Sequence, residues 1–437
     1  MKKNFLFLQG VASPFFALLS DQLRERGHRI HKIHFCGGDL VYWWPRPARA
    51  FRGTLDALPD FLLQTIQQFE ITDIVLFGDQ RPIHQPVFSL AKSLDLRIHV
   101  FEEGYLRPHW LTLERNGVNA HSQLPKDPDW YREVVERVPL HGEGQSFLGK
   151  FRMRAIHDVI YHSGDILNPV GFRHYRHHAP LHPVREYLWY IRRYPKVRRR
   201  LRVDLEANRK FVGQDRPYFL LPLQLYSDSQ ITCHSEFCDT FDFIQQCLHS
   251  FAQYAPTGTH LVVKNHPLDP GILNYENFVK DLAHHLGIGD RVHYYDYGDL
   301  VMLLKQCQGV VTINSTVGTW ALGLHKPVLT LANPVYNLPG LTSQQSLAAF
   351  WHEPSPPDPT LWSAFRQVLI HGTQINGGFY CATGMDIALP TAVQRLEMIH
   401  SPLEELLCRN DLRKPSSLPA RPAPLAKPLS GNMPTLV

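Results

Sequence analysis

The sequence predicts an α/β fold of two Rossmann-like halves facing a cleft, and three observations carry that expectation. Short apolar runs of the kind that form buried parallel strands end repeatedly in a glycine or polar turn and pass into helical spacing. This pattern occurs in two separate blocks, residues 5–101 and 218–331, with a basic stretch of different composition between them. The chain has 437 residues, more than one core ordinarily organises.

In the first block, the run Phe5–Leu8 closes on Gln9-Gly10, and Ala17–Leu23 then has helical spacing up to Gly27. Two lysines precede that run, but it is too short for a leader core and no small-x-small site follows. It is therefore read as the first buried strand. The turn lacks the full G-x-G-x-x-G of a dinucleotide site. A second strand, Arg29–His34, leads to Cys36-Gly37-Gly38-Asp39 and a polar, aromatic loop with Trp43, Trp44 and Pro45. Helical spacing over Leu58–Phe69 precedes the strand Ile74–Phe77, which ends in Gly78-Asp79-Gln80-Arg81-Pro82. A helix near Pro86–Leu94 leads into the strand Arg97–Phe101 and the acidic turn Glu102-Glu103-Gly104. Turns at Gly10, Gly78 and Gly104 then share one edge of a parallel sheet, where ligands collect beyond strand carboxyl ends.

The second block begins at Tyr218–Gln224 and continues with a helix over Cys238–Tyr254 and the strand His260–Lys264. The helix Tyr275–Leu286, the strand Val292–Tyr294 and the helix Leu300–Cys307 follow. The strand Gly309–Thr312, a helix opening near Ser315 and the strand Pro327–Leu331 complete the block. Two such halves make a GT-B-like architecture. The implied boundaries are 1–150, a helical linker 151–212, a second domain 213–410, and a Pro/Ser/Lys-rich disordered tail 411–437.

Within the linker, Phe172–Lys210 carries twelve Lys/Arg against three acidic residues. Tyr175, Tyr187, Trp189, Tyr190 and Tyr194 are interleaved, with His174, His177, His178 and His182. Basic residues mixed with Trp and Tyr suit either a solvated helix pair between domains or a surface facing anionic lipid. No nucleic-acid module accompanies the charge, and the histidines have no Cys or acidic partner at metal-ligand spacing. Seven scattered cysteines without a C-x-x-C pair fit free thiols in a reducing compartment. No segment reaches the ~18 apolar residues of a membrane span, so the expectation is a cytoplasmic protein able to sit on a membrane surface.

Four strand ends carry candidate chemistry. Glu102 and Glu103 form an acidic pair on one wall. On the other, Lys264-Asn265-His266-Pro267 presents an imidazole at a strand end, the proline fixing the turn. Asn314-Ser315-Thr316-Val317-Gly318 opens a helix, where hydroxyls and N–H groups suit a phosphate or simply cap the helix. Gln224 to Asp228 follows the first strand of the second block, so Asp228 either faces Glu102 across the cleft or caps the next helix.

These segments together resemble a known family. Glu102-Glu103-Gly104, His266-Pro267 and Ser315-Thr316 are similar to the motifs of enzymes that use CMP-activated ulosonic acids. Leu8-Gln9-Gly10, Phe77 to His84, Glu102 to Pro108, Asn314 to Gly318 and Pro334-Val335-Tyr336-Asn337 resemble the capsule polysaccharide biosynthesis/export family of the KpsS/LipB type.

The resemblance implies a metal-independent β-Kdo transferase, moving 3-deoxy-manno-octulosonic acid from CMP-Kdo to a (lyso)phosphatidylglycerol on the inner face of the inner membrane. No cofactor is implied, and the partners are other capsule biosynthesis and export proteins. Residues 1–150 become the acceptor domain and 213–410 the CMP-sugar domain. Asp228 becomes the nucleophile of a retaining reaction, with Glu102, or else Glu103, as the base. Gly10, Gln224, Lys264, His266, Pro267, Asn314, Ser315, Thr316 and Gly318 are carried over to the nucleotide. Asp79, Arg81, His84, Arg107 and Tyr336 are carried over to the sugar or acceptor. Tyr226-Ser227 stand where related chain-extending enzymes carry acidic residues. The only D-x-D, Asp127-Pro128-Asp129, falls in a Pro-rich loop. An inverting CMP-sialic acid transferase and a non-catalytic export adaptor remain alternatives, and the His-Pro and Ser-Thr pair disfavours an epimerase.

Overall fold

The computed structural model describes residues 2–149, 151–177, 183–225, 231 and 235–411. Asp228, with Tyr226 and Ser227, lies outside the described residues, as do His178, His182 and the tail from 412. The side chains of Tyr190 and Tyr194 do too.

The strands are β1 (Asn4–Phe7), β2 (Arg29–His34), β3 (Arg49–Ala50), β4 (Asp73–Phe77), β5 (Arg97–Glu103), β6 (Trp110–Arg115), β7 (Tyr218–Pro222), β8 (His260–Lys264), β9 (Val292–Tyr295), β10 (Gly309–Thr312), β11 (Val328–Thr330) and β12 (Gln374–Asn376). One sheet has the order β12-β6-β5-β4-β1-β2-β3, the other β11-β10-β7-β8-β9. The parallel part of the first, β3-β2-β1-β4-β5, and the whole of the second share one winding, outward from a first strand and back across it. This is the doubly wound, GT-B-like arrangement of two Rossmann-like domains. Each sheet has its switch point where the winding reverses, at β1/β4 and at β7/β10, and there the crevice opens beyond the carboxyl ends.

Local chemistry sets the helix starts. Asp239, Asn274 and Asp299 accept the N–H of Asp242, Asn277 and Met302, so these helices begin at Thr240, Tyr275 and Leu300. The same device corrects the D-x-D reading. Asp127 caps the helix Pro128–Val134 by accepting from Asp129, whose carboxylate pairs with Arg132. Residues Gly37–Trp43, expected as loop, form a helix in which Asp39 accepts the Phe35 N–H at 2.8 Å.

The largest departures are long-range. β5 does not stop at Phe101; it runs on through Glu103 because β6 pairs with it antiparallel, Glu102 opposite Thr112 and Glu103 opposite Leu111. β12 then adds to β6, and the helix Ala382–Glu397 buries Met385, Ala388, Leu389, Ala392 and Val393 against the first-domain residues Phe15, Phe16 and Phe101. Conversely, Trp130, Tyr131 and Val134 pack with the second domain's Phe365, Val368 and Leu369. The stretch Trp130–Val134 and the helix Ala382–Glu397 thus each pack into the core of the opposite half.

Asp73, fully buried at the opening of β4, holds the far end of the first sheet. It accepts from Arg97 through two bonds (2.8 and 2.7 Å), from His99 (2.8 Å) and from Lys3 (3.3 Å). Burial alone would raise this carboxyl, but the hydrogen bonds from Arg97 and His99 and the Lys3 charge hold it far below the usual range. A depressed carboxylate contributes stability above its unfolded pKa of about 3.9 and loses it as pH falls through and below that value. Asp73→Asn is expected to lose about 3–5 kcal/mol near neutral pH. Urea unfolding should show that difference shrinking toward about pH 3.

Candidate active site

A cavity of about 130 Å³ opens between the two switch points and takes residues from both domains. Its first wall is the end of β5. Both glutamates border the cavity, but successive side chains on a strand point to opposite faces, so their other partners differ. Glu102 lies toward the β4 turn, 3.4 Å from where a Cβ on Gly78 would stand, and Gly78 has φ +71°. A side chain there would be strained and would press on the carboxylate. Arg81, from the same turn, donates to Gln9 Oε1 at 2.9 Å and to the Gly10 carbonyl at 3.1 Å, so the β1 turn fixes its guanidinium.

Burial pushes the Glu102 carboxyl up to about 7, with the Glu103 charge adding to this and the Glu103 N–H, Arg81 and Arg107 opposing it. Glu103 goes the other way. Burial would raise it too, but the Arg154 and Arg107 charges and a bond from Tyr380 Oη (3.2 Å) outweigh that and keep its pKa low. Arg154 stands 3.4 Å from Glu103 and lies over the Tyr380 ring. Glu102 is thus suited to exchanging a proton near neutrality, while Glu103 stays ionised and anchors Arg154. Gly104 serves packing, because a Cβ there would meet the Trp110 carbonyl oxygen at 2.0 Å.

The opposite wall is built from β7, β8 and β10. Gln224 Nε2 donates to Asn314 Oδ1 at 3.0 Å, joining the ends of β7 and β10 at the second switch point. His266 Nδ1 accepts the Leu268 N–H at 3.1 Å, across Pro267, which leaves Nε2 as the protonated nitrogen. Burial, with Arg107 and Lys264 nearby, lowers His266 to about 4, so at neutral pH it is an uncharged donor rather than a cation.

Ser315 and Thr316 precede the helix Val317–Gly323. The N–H groups of Val317, Gly318 and Thr319 are already bonded to Ser315 Oγ, the Ser315 carbonyl and the Thr316 carbonyl. The donors this segment offers a ligand are therefore the hydroxyls more than the helix end. Tyr336 Oη donates to the Ser315 carbonyl at 2.5 Å, and a Cβ on Gly318 would meet that Oη at 2.3 Å, so Gly318 and Tyr336 together set the Ser315 turn. Thr319 Oγ1 donates to the Tyr105 carbonyl at 3.1 Å and ties this wall to the first.

Arg107 and Thr319 also border a wider cavity of about 520 Å³, which includes Trp110, Trp320 and Trp362.

Several residues singled out from the sequence hold the site from outside it. Lys264 is buried and donates to the carbonyls of Asn265 (2.8 Å) and Asp296 (3.1 Å). Asp79 accepts from His121 (2.8 Å) and from the Val118 N–H (3.3 Å). Buried His84, lowered to about 3 mainly by desolvation and hence neutral, donates Nδ1–H to the Gly78 carbonyl at 2.8 Å. None of these three lines the cavity.

Tyr105 and Asn119 also line the cavity, and only Tyr105 carries a signal in the sequence, its place next to the acidic turn. Arg154 and Tyr380 reach Glu103 only through tertiary packing.

The family model described as "Capsule polysaccharide biosynthesis protein" matches residues 72–380. The chain is 36% identical over 380 residues to the capsule polysaccharide export protein KpsS of Escherichia coli, covering 86% of this chain and 97% of that one. It is likewise 36% identical over 397 residues to the capsule polysaccharide modification protein LipB of Neisseria meningitidis serogroup B, covering 86% and 92%. Among solved structures, the Thermosulfurimonas dismutans KpsC β-Kdo 2,7 transferase aligns with a TM-score of 0.42 at 13% identity, over 94% of this chain and 100% of that one. Matched through most of both walls of the cavity, the chain belongs to the capsule polysaccharide biosynthesis family.

Proposed function

We propose that the chain is a β-Kdo transferase, moving 3-deoxy-manno-octulosonic acid from CMP-Kdo to (lyso)phosphatidylglycerol and so beginning the lipid-linked oligo-Kdo anchor of a capsular polysaccharide. One observation carries the reading: Glu102, a carboxyl that titrates near neutrality, shares a cavity with the neutral donor His266 and the hydroxyls of Ser315 and Thr316.

The donor's anomeric C–O bond breaks with its electron pair going to the phosphate of CMP, which accepts hydrogen bonds from His266 Nε2–H and the two hydroxyls. The acceptor hydroxyl gives its proton to Glu102 as the new C–O bond forms. In a retaining course Asp228 takes the sugar first, as a carboxylate adduct, and the acceptor then displaces it. Arg107, which lines the cavity, and Arg81, held on the β1 turn, suit the sugar carboxylate or the acceptor phosphate. No metal or other cofactor enters these steps.

The membrane side of the reading rests on the segment after residue 150. Ile166, Leu167, Val170, Leu188 and Trp189 are exposed in that segment, as are Arg192 and Arg199, a combination suited to an anionic bilayer surface. Among the described residues no helix is long and apolar enough to cross a membrane. Peripheral attachment at the inner face, with other capsule biosynthesis and export proteins as neighbours, follows from this reading.

Release of CMP tests it. CMP-Kdo should yield CMP only when lysophosphatidylglycerol is supplied, faster on anionic vesicles than in detergent. Preferential CMP release from CMP-sialic acid would favour the sialic acid transferase, and none from either donor the non-catalytic adaptor.

A further inference from the structure

In the segment after residue 150, a loop histidine meets two ligand-bearing residues at the end of a helix. His162 ends the helix Phe151–Ser163, Asp165 follows in the next turn, and His177 returns to them from a loop; one potential ligand atom from each lies within 4.8 Å of the others. From these positions we infer a binding site for a borderline transition-metal ion, zinc above all, with His162 Nδ1, Asp165 Oδ2 and one His177 nitrogen as ligands and water completing the shell.

Two imidazoles and one carboxylate are the ligand set that zinc accepts and that hard, oxygen-seeking Mg²⁺ and Ca²⁺ do not favour. The ligands are also held in place. Asp165 Oδ2 lies 2.7 Å from His162 Nδ1, while its other oxygen accepts from Asn168 Nδ2 at 2.9 Å. Asn168 in turn accepts the Gly37 N–H at 2.7 Å, which fastens the group to the first domain. On the far side of the His162 ring, Asp158 stands 3.6 Å from Nε2 and is itself bonded by Tyr187 Oη. At that distance Asp158 is an ionic neighbour of the imidazole and not a hydrogen-bond acceptor for it. The His162 and His177 ring centres are 5.0 Å apart. Beside them a cavity of about 270 Å³, bordered by Asp165, Asn168, Phe172 and His177, leaves room for the ion's water.

The ion would clamp the loop before His177 to the helix Phe151–Ser163. That loop carries Tyr175, whose Oη accepts from Gln9 Nε2 at 3.1 Å; Gln9 also holds Arg81. The ion is thus assigned a positioning role at the edge of the cleft, and the site is independent of which sugar the cleft accepts.

The test uses the untagged full chain, stripped with chelator and titrated with zinc chloride by calorimetry, with metal content measured after desalting. One tight zinc per chain is expected in the wild type. Affinity should fall at least about tenfold in His162→Ala and in His177→Ala. Zinc should raise the melting temperature of the wild type but not of the two alanine variants, each measured against its own metal-free protein. Cobalt(II) should give the intense visible bands of a four-coordinate site only in the wild type. Failure of the wild type to retain zinc, or equal zinc affinity in His162→Ala and His177→Ala, would overturn the assignment.

Discussion

Replacing Glu102 with Gln should lower turnover by about 10²–10⁴-fold, the range lost when a general base is removed, with little change in nucleotide binding. Gln keeps the shape but cannot accept the proton. In the wild type, the base works only when ionised, so turnover should rise with pH and reach half its plateau near the Glu102 value of about 7. Neighbouring charges move that limb in opposite directions. Glu103 raises Glu102 and Arg81 lowers it, so Glu103→Gln should shift the limb to lower pH and Arg81→Met to higher pH. Glu103→Gln should also cost less than Glu102→Gln, because Glu103 is engaged by Arg154 and Tyr380. Steady-state rates across the pH range check all three variants. A limb that stays in place in both charge variants would remove Glu102 from the proton transfer.

Removing the His266 imidazole should weaken CMP binding by about tenfold to a hundredfold, the equivalent of a hydrogen bond to a charged group worth about 1.5–3 kcal/mol. His266 is held to about 4 chiefly by burial, so it is neutral well below physiological pH. Its contribution should therefore be the same at about pH 6 as at about pH 8, unlike that of an ordinary histidine titrating near 6.5. Calorimetry with CMP on wild type and His266→Ala at both pH values checks this. A loss seen only at the lower pH would mean that the imidazole binds as a cation.

How legible the site was depended on how directly each side chain's direction follows from the strand that carries it. Glu102, His266, Asn314 and Ser315 stand at carboxyl ends of strands in doubly wound sheets, and those ends converge at the switch points whatever the rest of the chain does. Their meeting in one cavity could thus be anticipated from strand order. Lys264, Asp79 and His84 sit in the same motifs, but their side chains satisfy buried carbonyls and N–H groups of the turns. Short motifs do not distinguish a residue that builds a turn from one that the turn presents. Arg154 and Tyr380 were invisible for a different reason. They come from the linker and from the segment beyond β12, which returns to the first sheet through contacts more than two hundred residues apart in the chain. The antiparallel β6 leaves no signal in the sequence, because the acidic pair and Gly104 read as the end of a strand. In the fold, Gly104 only makes room for Trp110.

The most direct measurement is the mass of the lipid after incubating the full chain with CMP-Kdo and lysophosphatidylglycerol, alongside Glu102→Gln. If Glu102 deprotonates the acceptor opposite a nucleotide held by His266, Ser315 and Thr316, the wild type should give lysophosphatidylglycerol bearing one or more Kdo residues, in step with CMP release. The variant should give almost none while still binding CMP. An unchanged lipid with wild-type protein that binds CMP, or equal product from Glu102→Gln, would contradict it.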